Sequence, residues 1–293
     1  AHKQQARLPR SVQAQNDMML AGKAAARICN MLDTAVLYEM QEPLELPLRP
    51  EVTFEAIGFS YNEQSSALND VSFSLAPGSI TALVGPSGSG KSTLAKLLPR
   101  FWDVSDGAIR IAGYNIKEIP LKQLYQTVSF VFQDTELLRM SIASNISLAR
   151  PDASQLEIEA AAIAAQVHDK IAALPKGYNT VVGEDTNLSG GEAQRIAIAR
   201  AILADAPILV LDEATAFVDP EAEAEIQQAL AELVAGRTLL VIAHRLTTIS
   251  EADHILVMDK GNIVERGTHK TLLMQQGLYQ KMWQSTQLDE ITK

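Results

Sequence analysis

Apolar positions fall into two patterns along the chain, and the switch between them divides it. Val52-Thr53-Phe54-Glu55-Ala56 and Val71-Ser72-Phe73-Ser74-Leu75 alternate apolar and polar residues, as half-buried strands do. Pro77-Gly78 then turns the chain. Beyond it, Ile80–Val84, Val128–Phe132, Pro207–Leu211 and Thr238–Ala243 are nearly unbroken apolar runs, the signature of strands buried on both faces of a parallel sheet. A further strand is predicted near Ala108–Ala112. Helical spacing predicts helices after Lys91, at 142–148, 155–165, 167–173 and 221–234, and after Gly190, where Ile196, Ala199, Ile202 and Leu203 share a face. His254–Met258 and Asn262–Glu265, joined by Asp259-Lys260-Gly261, read as a hairpin, followed by helices near 270–274 and 278–284. An antiparallel β layer therefore precedes an α/β part.

Before these elements, Ser11 to about Leu32 suits a helix, with Met18, Met19, Ala24, Ala25, Ile28 and Leu32 as a rough stripe. An ordinary surface helix and a lead-in helix from something upstream explain it equally well. Pro43, Pro47 and Pro50 then exclude a helix, so 41–50 reads as a linker and residue 50 as a domain boundary. The chain starts with Ala1, not Met, as expected of a piece of a longer protein or a processed one.

Between the strand at 80–84 and the next helix stands Gly85-Pro86-Ser87-Gly88-Ser89-Gly90-Lys91-Ser92-Thr93. Glycines let a backbone turn its N–H groups around a phosphate-sized anion. The helix beginning near Lys91 adds free N–H groups. Lys91 can reach β- and γ-phosphates, and the Ser92 hydroxyl can hold Mg²⁺. All fixed positions match in a strand–turn–helix context, so a chance glycine-rich turn is a poor account.

Further candidates stand where parallel strands end, the ligand-contacting edge of α/β folds. Gln133 follows the strand at 128–132; its amide could meet Mg²⁺ or water, or simply face solvent. Asp212 and Glu213 end the run Ile208–Leu211; Asp212 can hold Mg²⁺, and Glu213 can orient or deprotonate attacking water. His244 ends the strand at 238–243 and could reach a γ-phosphate, although a lone histidine is usually structural. Ser189-x-x-Glu192 reads as a capping box, yet Gly190 and Gly191 in the first turn go beyond a cap's needs and leave room for an anion. Tyr61 is either a strand-end aromatic or a ring that stacks on a base.

Net charge is −10 with no basic block, which argues against a nucleic-acid partner. The single cysteine excludes an internal disulfide. No run of 18 apolar residues is present.

Taken together, residues 50–285 resemble the ATP-binding-cassette family. The likeness rests on the phosphate loop Gly85–Thr93, the Q-loop Gln133, the signature Leu188-Ser189-Gly190-Gly191-Glu192, the Walker B strand with Asp212 and Glu213, the D-loop ending at Asp219, and the switch His244. Arg100-Phe101-Trp102-Asp103, Asn145-Ile146 and Leu174–Tyr178 look like exporter-type members, and the helix at 11–32 resembles the end of their last transmembrane helix. The resemblance implies a P-loop NTPase cassette: an antiparallel β layer, a RecA-like parallel-sheet core and a helical subdomain at about 135–190, together spanning 51–288. It implies ATP and Mg²⁺ as cofactors, and a second cassette as head-to-tail partner. In such a sandwich Tyr61 stacks on adenine, Ser189 and Gly191 touch the γ-phosphate of the opposite subunit, and Asp219 contacts that subunit. It also implies a transmembrane domain and a place on the cytoplasmic face of a membrane, a bacterial inner membrane. Three features depart from the pattern. Glu192 stands where Gln is commoner, Phe217-Val218-Asp219 replaces Ala-Leu-Asp, and Gly183–Asn187 is one residue short. Ala214–Glu221 resembles exporter-fold transporters that handle siderophores. The competing reading is a soluble cassette ATPase acting on DNA or ribosomes, which the acidic charge and the lead-in helix disfavour.

Overall fold

The computed structural model describes residues 10–32, 37, 40–62, 65–132, 135–212, 220–243 and 249–291. The chain forms two compact units, Ala1–Tyr38 and Glu39–Lys293. The first holds α1 (Arg10–Leu32), close to the helix expected from the stripe. The stripe side chains Met18, Met19, Ile28 and Leu32 are exposed.

In the second unit the strands are β1 (Val52–Asn62), β2 (Ser65–Leu75), β3 (Ile80–Val84), β4 (Asp106–Ile111), β5 (Tyr114–Asn115), β6 (Val128–Val131), β7 (Ile208–Asp212), β8 (Thr238–Ile242), β9 (His254–Asp259) and β10 (Asn262–Gly267). The helices are α2 (Lys91–Leu97), α3 (Leu121–Thr127), α4 (Ile142–Ile146), α5 (Gln155–Ala164), α6 (His168–Ala172), α7 (Gly190–Ala204), α8 (Pro220–Val234), α9 (His269–Met274) and α10 (Leu278–Ile291).

Two sheets result. The smaller is antiparallel, in the order β2-β1-β4-β5. The alternation in β1 and β2 puts Phe54 and Phe73 on one face, where their rings stack at 4.2 Å. The strand read at 108–112 is β4; it returns to this sheet after α2 instead of joining the parallel one. The larger sheet runs β10-β9-β3-β8-β7-β6, parallel from β9 to β6, with β10 folded back antiparallel. Every residue of β7 is buried, as an unbroken apolar run requires.

The helix α2 carries Leu94, Leu97 and Leu98 into the main core, where they meet Leu75 and Ile109 of the small sheet and Leu240 and Leu256 of the large one. A second core joins β6 and β7 to α5, α7 and α8 through Val131, Leu209, Ala162, Ile196 and Ile226. A third packs Leu272 and Tyr279 of α9 and α10 on Val84 and Val257. Burying each of these large side chains contributes about 1.5–3 kcal/mol. The phosphate-loop strand β3 and its helix therefore lie among residues held from several directions.

Candidate functional site

The parallel register aligns four strand ends. Leu83 pairs with Ile242, Asp212 with the same Ile242, and Val131 with Leu211. The carboxyl ends of β3, β6, β7 and β8 therefore share one edge, as ligand sites of open α/β sheets do.

At that edge the phosphate loop leaves β3. Gly85 has φ +148°, and a Cβ there would run into the Met258 carbonyl oxygen of β9. Gly90 has φ +102°, and its Cβ would lie 2.9 Å from the Ala67 carbonyl oxygen and 2.8 Å from Leu68. Both positions combine left-handed backbone with close neighbours, so only glycine fits. Gly90 is also the N-cap of α2 and brings no side chain to satisfy its first N–H groups. Lys91 is 5% exposed, and its Nζ donates to the carbonyls of Gly85 (2.8 Å) and Pro86 (2.9 Å). The ammonium is thus curled beneath the loop. Ser87–Thr93 line a cavity of about 410 Å³ together with Ser66, Ala67, Lys260 and Gly261.

The Ser92 hydroxyl donates to Asp212 Oδ1 at 3.4 Å. A hydroxyl from the loop and a carboxylate from β7 thus converge, a hard oxygen pair that suits Mg²⁺. Among the described residues no group of three or more His, Cys, Asp or Glu could hold a metal by itself. The pair fits an ion that completes its shell with phosphate oxygens and water.

Tyr61, at the end of β1, is 54% exposed, and its hydroxyl lies 3.2 Å from Thr93 Oγ1 on α2. Phe59 and Trp102 meet its ring edge-on, with interplanar angles of 86° and 89°. Neither lies parallel over the ring, as a stacked base would.

The expected capping box is present at α7. Ser189 N donates to Glu192 Oε2 at 2.9 Å, and Glu192 N donates to Ser189 Oγ at 3.3 Å. Because its oxygen accepts that bond, the hydroxyl hydrogen is left to donate elsewhere. A Cβ on Gly190 would meet nothing within 4 Å, so this turn faces open space. Gly191 is buried. Neither Ser189, Gly190 nor Gly191 lines the phosphate-loop cavity. The helix behind the cap is anchored by buried Arg195, whose NH1 lies 2.7 Å from Glu225 Oε2 on α8.

Four expected site residues, Gln133, Glu213, Asp219 and His244, lie outside the described residues, as does the rest of the D-loop. The chain-order reasoning missed two others. Lys260 reaches the phosphate-loop cavity because the β9–β10 hairpin lies against the loop, with Gly261 N donating to Ser89 O at 3.0 Å. Its only sequence signal was the Asp259-Lys260-Gly261 turn. Trp102 belongs to the stretch Arg100–Asp103, in which no sequence signal links it to Tyr61.

A profile described as ABC transporter matches residues 68–216. The chain is 52% identical over 264 residues to the mycobactin import ATP-binding/permease protein IrtA of Mycolicibacterium smegmatis, covering 90% of this chain and 31% of that protein. It is 48% identical over 273 residues to the ATP-dependent lipid A-core flippase of Saccharophagus degradans, covering 92% of this chain and 46% of the flippase. A solved structure of a bacterial Atm1-family ABC exporter with ATP bound superimposes with a TM-score of 0.81 at 42% identity, over 89% of this chain and 46% of the exporter. The chain spans less than half the length of each of these relatives. With the family profile matching just over half its residues, the chain belongs to the ABC transporter family.

Proposed function

We propose that the chain is the nucleotide-binding domain of an exporter-type transporter, which binds ATP with Mg²⁺, hydrolyses it, and drives a transmembrane domain. The observation that carries this reading is the meeting of Lys91, Ser92 and Asp212 at one sheet edge, with Ser92 and Asp212 3.4 Å apart. Lys91 holds the β- and γ-phosphates, and Tyr61 stacks on the base. Ser92 and Asp212 would hold Mg²⁺, which would supply charge neutralisation as the bond to the γ-phosphate breaks. Water attacks the γ-phosphorus, the bond to the bridging oxygen breaks, and Glu213 orients the water or takes its proton. Gln133 and His244 are assigned to sensing the γ-phosphate and the attacking water.

The signature turn is exposed at Ser189 and Gly190 and stands outside the phosphate cavity. A second cassette, turned head to tail, brings its signature to this phosphate, and Asp219 is assigned to contact with that subunit. Among the described residues no helix is long and apolar enough to cross a membrane. By the chain's likeness to an ATP-binding/permease protein, the membrane-crossing part is assigned to a separate domain, and this chain to the cytoplasmic face of a bacterial inner membrane.

The test is Glu213→Gln, which keeps shape and removes the basic carboxylate. Hydrolysis should slow by about 10²–10⁴-fold while ATP binding survives. With Mg-ATP the variant should elute as a dimer in size-exclusion chromatography, and with ADP as a monomer. Adding Ser189→Arg should abolish the dimer, because a bulky cation blocks the phosphate's approach. Hydrolysis by Glu213→Gln at the wild-type rate would refute this assignment.

Cargo is a separate matter. The two named relatives, a mycobactin importer and a lipid A-core flippase, have different cargoes and similar cassettes. The greater identity to the mycobactin protein and the stretch 214–221 favour a siderophore. Stimulation of ATP hydrolysis by a ferric siderophore in the complete transporter checks this, and no stimulation overturns it.

A further inference from the structure

The structure assigns a role to Trp102: we infer that it is a positioning residue, which holds the Tyr61 ring ready for the base. This rests on the reading of Tyr61 as the base-stacking residue.

Tyr61 is more than half exposed at a strand end, where a lone ring would sample several rotamers. Stacking would then have to fix it, at a cost in entropy. Here the ring is already held at three points. Phe59 meets one part of it at a centroid distance of 4.8 Å, and Trp102 another at 5.3 Å. The Tyr61 hydroxyl is tied to Thr93, two residues after Lys91. The ring is therefore fixed in register with the phosphate loop.

Trp102 is itself built into place. It sits in a turn between Arg100 and Asp103, which form a two-point ion pair, Nε–Oδ1 at 2.7 Å and NH2–Oδ2 at 3.3 Å. Arg100 is 1% exposed, and its φ of +60° sets the sharp direction change after α2. Beyond the turn, Ser105 N donates to Gly58 O at 2.9 Å, and Ser60 N donates to Ser105 Oγ at 3.3 Å. The segment that carries Trp102 is thus stitched to the strand that carries Phe59 and Tyr61. Phe101 points elsewhere, to Phe130 and Phe132, 5.7 and 5.8 Å away. The adjacent aromatic residue, Trp102, is the one that serves Tyr61.

Edge-to-face pairs contribute enough to change affinity about two- to tenfold when the ring they hold must be fixed on binding. The experiment is isothermal titration calorimetry on the 293-residue chain, with Mg-ATP and with Mg-tripolyphosphate, which has no base. Tyr61→Ala should weaken ATP at least about fivefold and leave tripolyphosphate unchanged. Trp102→Ala should weaken ATP about two- to tenfold, again without affecting tripolyphosphate. Trp102→Leu, with apolar bulk but no ring, should lose as much, and Trp102→Phe should recover most of the loss. In a Tyr61→Ala background, Trp102→Ala should cost nothing more. Three results overturn the role: wild-type ATP affinity in Trp102→Ala and Trp102→Leu, an undiminished loss with Tyr61 already removed, or an equal loss for tripolyphosphate. If Tyr61→Ala itself binds ATP normally, the base-stacking reading fails and the positioning role falls with it. A failure confined to the Trp102 variants leaves that reading standing.

Discussion

Lys91 acts in two directions at once. Its ammonium is bound to two loop carbonyls, and in the proposed function it also meets the phosphates. Lys91→Ala should therefore weaken ATP by at least about tenfold, the scale of one charge-assisted hydrogen bond, measured by calorimetry. The same variant should melt earlier without nucleotide, since the Gly85 and Pro86 carbonyls lose their donor. Residues of this kind were legible in the sequence because their chemistry is local: glycines, lysine and hydroxyl come in one unbroken stretch. Asp212 was legible because an apolar run ends in a carboxylate. Lys260 and Trp102 were not, because each reaches the site through the pairing of strands remote in sequence. Gly261 meets Ser89, and Ser105 meets Gly58, only once both sheets exist.

Among the elements, α7 carries the most consequential departure from its family's usual pattern. Glu192 completes the capping box, and its negative charge suits the positive end of a helix dipole. That charge also stands at the turn proposed to meet a partner's γ-phosphate. Glu192→Gln keeps the reach to Ser189 N and removes the repulsion. In the Glu213→Gln background, the ATP concentration that gives half-maximal dimer should fall about two- to fivefold, the scale of one exposed charge. An unchanged midpoint would mean that the carboxylate points away from the phosphate. A second prediction concerns Tyr178, in the turn after α6, and Tyr279 on α10. Burial pushes both hydroxyls up to about 12, with the Glu159 charge adding to the effect at Tyr178. Their Oη atoms lie 2.8 and 2.7 Å from Nδ1 of His168 and His269. The fold favours the neutral phenols, so their contribution is complete below pH 10 and is lost as pH rises towards 12. Titration followed by tyrosinate absorbance should show a late phase from Tyr178 and Tyr279, and that phase should vanish after unfolding.

Most elements followed from periodicity, yet some did not. The strand read at 52–56 runs on to Asn62, and that read at 71–75 begins at Ser65. Ala56 and Asp70 adopt φ near +50° and shift the register, which breaks the alternation that marks a strand. The helix α3 went unseen because Pro120 supplies no side-chain cap and seven residues hold too little pattern. It nevertheless anchors the proline-rich stretch: the Gln123 amide accepts from Leu44 N at 2.9 Å and donates to Leu44 O.

At the scale of the molecule, net charge weighs against one class of partner. A chain of net charge −10 has no broad attraction for a nucleic-acid backbone, and its phosphate loop stands at one sheet edge. That edge depends on β3, whose neighbours come from the far end of the chain. Ile80 pairs with Leu239, and Ala82 with Ile255. Until a ribosome has made β8 and β9, the strand that launches the phosphate loop has no partner on either side. Contacts of such wide sequence separation form slowly, after the loop-closure entropy has been met. The nucleotide site is thus completed only when β8 and β9 arrive, although its phosphate-loop motif is translated well before them. A chain ending at Gly236 contains the whole motif and should bind no ATP by calorimetry. During synthesis, then, a half-made chain cannot spend ATP, and competence for nucleotide arrives only with the closing strands.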